Sequence, residues 1–286
     1  TRLRRIGMSE IDVLLEQQTW RFWDQSLSGK SRSALESFAA DDLLCHVVGQ
    51  GQSPATVRTW VHDQTVVMGI QDHRLPFVEG AQDFLRTRGY NPIVRNSGGL
   101  AVVLDEGVLN ISIVLSEKEN SIDIPTGYEV MLAFVQQLFP EAQGKIEAYE
   151  IVGSYCPGSY DLSIGGKKFA GISQRRLRQG IAVQVYLCVE GSGSERARLI
   201  QEFYEVGVQG EDTKFSYPSI KPEVMASLNE LLQATFTVQD VVIRIQQLLH
   251  QRSEQVVSQS LMQEEAELYR FYLERVLKRN QKMLEG

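Results

Sequence analysis

Much of what would mark a metalloprotein, a secreted disulfide scaffold or a nucleotide-binding enzyme is missing from this 286-residue chain. It has three cysteines, Cys45, Cys156 and Cys188, and none forms a CxxC pair. An odd, scattered set is a poor disulfide framework and points to a reducing cytoplasm. The four histidines, His46, His62, His73 and His250, show neither an HExxH nor a Cys/His metal spacing. There is no GxSxG elbow, no Walker pattern and no GxGxxG. No apolar run approaches the roughly 18 residues of a spanning helix. The basic start, "TRLRRIGMSEIDVLLEQQTW", is interrupted by Glu10, Asp12 and Glu16 and lacks the apolar core of a signal peptide. A net charge of −7 argues against nucleic acid as the main partner. The expectation is a protein with no metal, no cofactor, no membrane contact and no nucleic acid.

What is present suits a folded enzyme. Hydrophobic residues make up 43% of the chain, enough for a substantial core. Residues 9–27 read as a short helix followed by a strand carrying Trp20 and Phe22, and residues 32–50 carry apolar residues at helical intervals. "TVVMGI" (65–70) reads as a buried strand. In "NPIVRNSGGLAVVLDEGVLNISIVLS" two apolar runs, 100–104 and 108–115, flank Asp105-Glu106-Gly107, which predicts a hairpin. Residues 125–139 predict a helix stopped by Pro140. "AYEIVG", "YDLSI", "KKFAGIS" and "GIAVQVYLCVE" read as successive strands, and "GSGSER" (191–196) as a turn and helix cap. From Ile220 the chain reads as amphipathic helices: one near Pro222, one capped by Thr237 with Asp240 in its first turn, and one over 261–284. The layout is α/β, with a strand-rich centre and helices before, within and after it.

The candidates for chemistry narrow quickly. Cys45 lies in the helical "DDLLCHVV" and Cys188 in a strand, where core packing is the default. His46 adjoins Cys45 in sequence, but neighbouring helical side chains do not face each other. Cys156 differs. It precedes Pro157-Gly158, so it sits in a turn, where reactive groups concentrate. A thiol attacks as its thiolate, and an ordinary cysteine has a pKa of about 8.5. A nearby ammonium lowers that value and raises the reactive fraction. If Gly165-Gly166 form a two-residue hairpin turn, Lys167 pairs with Ile164 and Lys168 with Ser163, and the strand returns towards Cys156. The two lysines then point to opposite faces, so only one can reach the site. A plain surface hairpin with solvated lysines is the competing reading. Gly98-Gly99 permits close backbone approach, of a phosphate or an acyl chain, but by itself a tight turn preceding a hairpin is the favoured reading. The arginines of "SQRRLRQG" (173–180) suit either a solvated edge or a docking patch for an acidic partner.

Two stretches together carry a resemblance. "RNSGGLAVVLDEGVLNISIVL" is similar to the lipoyl-binding loop of the lipoate-protein ligase and biotin-protein ligase catalytic superfamily, typically Arg-Arg-x-x-Gly-Gly-Gly followed by His-Asp-x-Gly-x-x-Asn. "GGKKFAG" matches its Gly-x-Lys-x-x-Gly signature, with Lys168 as the lysine and Gly171 as the last glycine. "GSYCPGSYDLSI" resembles the active-site segment of the superfamily's bacterial cysteine-dependent octanoyltransferases. The chain departs from the ligase pattern at Asn96, Leu100 and Leu104, where an arginine, a glycine and the histidine are usual, which puts adenylation in doubt.

The resemblance implies a mixed β-sheet core flanked by helices, with a C-terminal helical extension. It divides the chain into 1–42 (helix and first strand joining the core), 43–218 (catalytic core) and 219–286 (C-terminal helices). It implies an acyltransferase of lipoate biosynthesis. The octanoyl group would pass from the lysine of the glycine cleavage system H protein to lipoyl domains of 2-oxoacid dehydrogenases, with no cofactor. Cys156 would be the acyl-thioester nucleophile, and Lys168 would lower its pKa and orient the carbonyl. Arg95, Ser97, Gly98, Gly99 and Gly171 would bind substrate, while Asp105 and Asn110 would fix the hairpin. Transfer from octanoyl-acyl carrier protein, ATP-dependent ligation and a non-catalytic carrier-binding scaffold are the alternatives.

Overall fold

The structure is a computed structural model that describes residues 9–285. The residues before Met8, whose origin the sequence leaves open, lie outside the described residues. In chain order the elements begin with α1 (Glu10–Leu15), β1 (Gln17–Gln25), α2 (Ala34–Gly49), β2 (Thr56–Trp60), β3 (Thr65–Met68) and α3 (Val78–Thr87). Next come β4 (Asn91–Val94), β5 (Val102–Leu104), β6 (Val108–Ser116), α4 (Ile124–Leu138), β7 (Ile146–Ala148) and β8 (Leu162–Ile164). The chain continues through β9 (Lys167–Leu177), β10 (Gly180–Cys188), α5 (Gly193–Val208), α6 (Leu228–Leu232), α7 (Val238–Gln251), β11 (Ser253–Ser258) and α8 (Ala266–Glu285).

Eight strands form one mixed sheet in the order β11-β1-β2-β6-β10-β9-β8-β7, and three form a second in the order β4-β3-β5. Strict alternation along β10 assigns its two faces. Ile181, Val183, Val185 and Leu187 pack into a core shared with α4 and α7, while Ala182, Tyr186 and Cys188 pack into one shared with α2, α5, α8 and the small sheet. The capping signals hold: the Thr237 hydroxyl accepts from Asp240 N and the Asp240 carboxylate accepts from Thr237 N. Ser192 caps α5 in the same way, accepting from Glu195 N. Among the described residues no helix is long and apolar enough to cross a membrane.

The strand read over "AYEIVG" ends at Ala148, with 149–153 in a loop, and two further elements differ in topology from the sequence reading. Residues 102–104 and 108–116 are not a hairpin: β5 pairs with β3 in the small sheet, and β6 pairs with β2 and β10 in the large one. The Asp105-Glu106-Gly107 corner is the crossing between sheets. Asp105 accepts from Gly107 N at 2.9 Å and from the Arg196 guanidinium of α5 at 2.7 and 2.8 Å, which anchors the corner away from a paired turn. Asn110 likewise serves no hairpin; its side chain donates to Trp60 O at 3.2 Å. The second difference is β11, which lies in a stretch read only as helical and adds a parallel edge strand beside β1. Its register with β1 is set by contacts more than two hundred residues apart in sequence, which local patterning cannot carry.

Candidate active site

The Gly165-Gly166 corner places the first functional group. Both glycines have positive φ, 59° and 78°, as a two-residue hairpin turn of this hand requires. Lys167 pairs with Ile164 and Lys168 with Ser163, the register that the turn predicts. The register then shifts: Leu162 pairs with Ala170, so Phe169 has no partner on β8. This bulge turns Phe169 into the core under α4 and sends the Lys168 side chain to the opposite core. Lys167 is exposed, and Lys168 is completely buried.

Cys156 lies in the 149–161 loop with φ +45°, a left-handed conformation that non-glycine residues adopt at a cost. Two buried groups hold the loop. Lys168 Nζ donates to the carbonyls of Tyr155 (2.9 Å) and Cys156 (3.0 Å) and lies 2.9 Å from Asp161 Oδ1. Asp161 in turn accepts from Ile151 N and Gly158 N at 3.0 Å each. Burial outweighs Lys168 and these donors and holds the Asp161 carboxyl above the usual carboxylate range.

The sulfur itself has other neighbours. Leu100 N donates to Cys156 Sγ at 3.1 Å, and Arg95 Nη2 lies 3.3 Å from it. Arg95 also donates to Leu100 O, which braces the same turn. The sequence reading made Lys168 the cation on the thiol; in the structure Lys168 engages the cysteine's carbonyl, and the guanidinium of Arg95 faces its sulfur. Gly99 explains how this fits. It has φ +111°, and a Cβ there would lie 2.4 Å from Arg95 Nη2 and 3.0 Å from Cys156 Sγ. The close approach that the glycine pair permits is that of the chain's own sulfur. Gly98 faces open space.

Cys156, Arg95, Gly98, Gly99 and Gly171 share the wall of one cavity of about 270 Å³. Phe38, Trp60, Val67, Val102 and Leu104 give it an apolar lining. Two registered rows of the large sheet run beneath it, of which Arg58 and Ser112 lie off the wall. Trp60, Asn110, Tyr186 and Gly171 form one; Arg58, Ser112, Gln184 and Ser173 form the other. The second row is tied to α2, where buried Asp41 accepts from Arg58, Ser112 and Gln184. Lys168 lies behind the cysteine loop and is not on the cavity wall. Ser97 is also off the wall; it is buried, and its hydroxyl has no partner among the described residues.

Other sequence candidates go to internal partners. Asn96 donates to Asp42, which also takes the Arg175 guanidinium, and Arg176 pairs with Glu117. Cys45 and Cys188 are buried free thiols, and His46 turns to the Tyr272 hydroxyl at 2.8 Å. Among the described residues no three His, Cys, Asp or Glu side chains gather as a metal site would need. Sequence reasoning missed Asp161, Leu100 N–H and Tyr186. Asp161 was within reach of inference, because a buried lysine needs a counter-charge close by. Gly171 was the signal for Tyr186: a glycine inside a strand marks close approach, and a Cβ there would meet the Tyr186 ring at 2.5 Å.

Comparison with known proteins agrees with this architecture. Residues 33–250 match the family described as the lipoyl protein ligase A/B catalytic domain. An octanoyl-[GcvH]:protein N-octanoyltransferase of Lysinibacillus sphaericus is 66% identical over 95% of this chain and 98% of its own length. A lipoyl-[GcvH]:protein N-lipoyltransferase of Listeria monocytogenes is 46% identical over 96% of this chain and 98% of its own. The crystal structure of lipoate-protein ligase A bound with ATP shares the fold, with a TM-score of 0.66 at 17% identity over 91% of this chain and 95% of that one. The chain therefore belongs to the lipoyl protein ligase A/B catalytic-domain family, as an acyltransferase of its protein N-acyltransferase branch.

Proposed function

We propose that this protein moves an octanoyl group from the lysine of the glycine cleavage system H protein to the lysine of lipoyl domains of 2-oxoacid dehydrogenases, in the cytoplasm, through a thioester on Cys156. The names of its close relatives support the donor and the acyl group. One observation carries the mechanism: Cys156 Sγ is presented to a cavity with an apolar lining while Leu100 N–H and Arg95 reach it at 3.1 and 3.3 Å.

The chemistry follows from this placement. Cys156 attacks the octanoyl-lysine carbonyl and releases the donor lysine. Exchanging an amide for a thioester is uphill, so the step needs fixed donors where charge develops on oxygen. Leu100 N–H and Arg95 are the donors nearest the sulfur. Lys168 and Asp161 hold the cysteine's backbone and so aim the sulfur. Gly98 gives the acyl chain room, while Gly99 admits the sulfur and Gly171 the Tyr186 ring. The acceptor lysine then attacks the thioester, and one amide replaces another without ATP. The apolar lining limits access by water, which would waste the thioester. Leu104 lines this cavity where the ligases' histidine is usual, and Asn96 is engaged by Asp42. A lipoyl group is a second candidate for the cargo, which the Listeria monocytogenes relative's name favours.

Intact-mass measurement tests the proposal. Mixing with octanoylated H protein should add one octanoyl group to the enzyme, and Cys156→Ser should abolish both adduct and transfer. Cys45→Ala and Cys188→Ala should transfer normally. Rates should not change on adding ATP and magnesium, and free octanoate with ATP should give no product. Efficient modification of a lipoyl domain from octanoate and ATP would identify a ligase instead.

A further inference from the structure

We propose that Tyr128 is a specificity-determining residue for the carrier lysine: its ring, backed by Tyr160, forms the outer wall along which the methylene stem of the donor or acceptor lysine runs from Cys156 to the protein surface. This rests on the thioester reading above and extends it from the acyl half of the substrate to the lysine half. An octanoyl amide whose carbonyl stands at Cys156 Sγ sends its acyl chain one way and the lysine stem the other. The cavity wall is graded in the same sense. Phe38, Trp60, Val67, Val102 and Leu104 are each at most 5% exposed and form its inner part. Tyr128, Pro157 and Gln174 are half-buried and Gly158 is exposed; these form its outer part. The acyl chain takes the inner, apolar part, so the lysine leaves past the outer one.

The sheet explains why the cavity opens there. β8 pairs with β9 only as far as Ala170, so from Gly171 onward β9 is an edge. Tyr128 belongs to α4, whose Val130 and Phe134 pack in the core on the other face of the sheet. Yet Tyr128 lines the same cavity as Cys156, so the cavity reaches over the β9 edge and Tyr128 stands beyond it. The ring is positioned from two sides. Gln174 Nε2 donates to Ile124 O at 2.6 Å, which pins the start of α4 to that edge. Gly127 admits this contact, since a Cβ there would lie 2.5 Å from Gln174 Oε1. From the cysteine loop, the Tyr160 ring stacks on Tyr128 with centroids 4.6 Å apart and planes 7° from parallel. Burial, and after it the charge of Cys156, raises the Tyr128 phenol above the ordinary tyrosine range, so the sulfur is close enough to act on it. A lysine stem is apolar below its nitrogen, and a rigid aromatic ring is a suitable surface to cover it. Both half-reactions bring a carrier lysine to the same sulfur, so this one wall serves donor and acceptor alike.

The test compares donors with and without a lysine stem. Tyr128→Ala should raise KM about tenfold for octanoylated H protein and about tenfold for the acceptor lipoyl domain, as the loss of contact with roughly two methylenes would. Its kcat should stay within about three-fold, because such contact is made equally before and during reaction. S-Methyl thiooctanoate carries the same acyl chain with one carbon in place of the lysine. It acylates Cys156 by thioester exchange, forming one C–S bond, breaking another and releasing methanethiol. Its rate with Tyr128→Ala should stay within about three-fold of wild type. Tyr128→Phe keeps the ring and should keep both KM values. Tyr160→Ala removes the backing ring, which is off the cavity wall, and should raise the same two KM values by a smaller factor; it decides the matter should Tyr128→Ala not fold. A loss shared by the methyl thioester would make the stack a mere support of the cysteine loop, and unchanged KM values would put the lysine elsewhere; either result overturns the role of Tyr128. A wild-type enzyme that neither octanoylated H protein nor the methyl thioester acylates at Cys156 overturns the thioester reading and this role with it.

Discussion

Lys168 Nζ and Asp161 Oδ1 form an ion pair, 2.9 Å apart, with side chains 0% and 3% exposed. The pair lies behind Cys156 and spends its hydrogen bonds on the backbone of that loop: two carbonyls from the lysine, two amides from the aspartate. Its function is to hold Cys156 in a left-handed conformation that the chain would otherwise leave.

Removing one partner should therefore harm stability more than replacing both. Asp161→Leu or Lys168→Met alone leaves a buried charge uncompensated and should cost about 3–5 kcal/mol. The double variant Lys168→Met/Asp161→Leu should recover part of that loss while remaining inactive. Denaturant unfolding of the three variants checks this; strictly additive losses would remove the coupling.

Gly99→Ala should damage chemistry more than folding. The added methyl must displace Arg95 or the sulfur, and a reacting atom moved by about 1 Å can lose 100-fold in rate. The positive φ adds about 1–3 kcal/mol of strain. Gly98→Ala meets no protein atom within 4 Å and should fold as wild type, while its methyl, on the cavity wall, should raise KM for the octanoyl donor more than it lowers kcat. Transfer rates and melting temperatures for the two variants give the comparison.

Two buried groups should act oppositely on stability between pH 4 and 6.5. Burial pushes Asp72 up to about 6 although it accepts from Gly69 N and Tyr204. Its contribution is present below its unfolded value of about 3.9 and is lost as pH rises through 6. Burial pushes His62 down to about 4; its ring bonds Ser37 Oγ and Arg32 O. That contribution is present above its unfolded value of about 6.5 and is lost as pH falls through 4. Each shift is about two units, or roughly 3 kcal/mol, so the two largely cancel in the wild type. Urea unfolding of Asp72→Asn should show stability rising with pH across this window, and His62→Gln should show it falling. Parallel slopes in the two variants would contradict the assignment.

Local chemistry made part of this protein legible in advance. Gly165-Gly166 can form only a few turns, so the pairing of Lys168 with Ser163 followed from the sequence. Thr237 with Asp240, and Ser192 before α5, announced their helices because capping involves residues three apart. Cys156 was distinguishable from Cys45 and Cys188 because Pro157-Gly158 excludes it from a helix or a strand ladder.

What surrounds that cysteine belongs to the tertiary structure. Arg95 reaches Sγ across 61 positions of chain, and no periodicity encodes a contact of that span. The 102–104 and 108–116 strands looked like a hairpin because strand pattern specifies a face and not a partner; Arg196, 91 residues on, anchors the Asp105 corner that sends them to different sheets. The bulge at Phe169 brings Lys168 to the cysteine loop, and burial of that ammonium then requires Asp161. The sequence by itself determined which cysteine lies in a turn and where the Gly165-Gly166 hairpin folds back, since both depend on residues a few positions apart. Only the folded sheet decided which cation faces the sulfur and which one holds the loop, because each depends on strands and loops that meet across the whole chain.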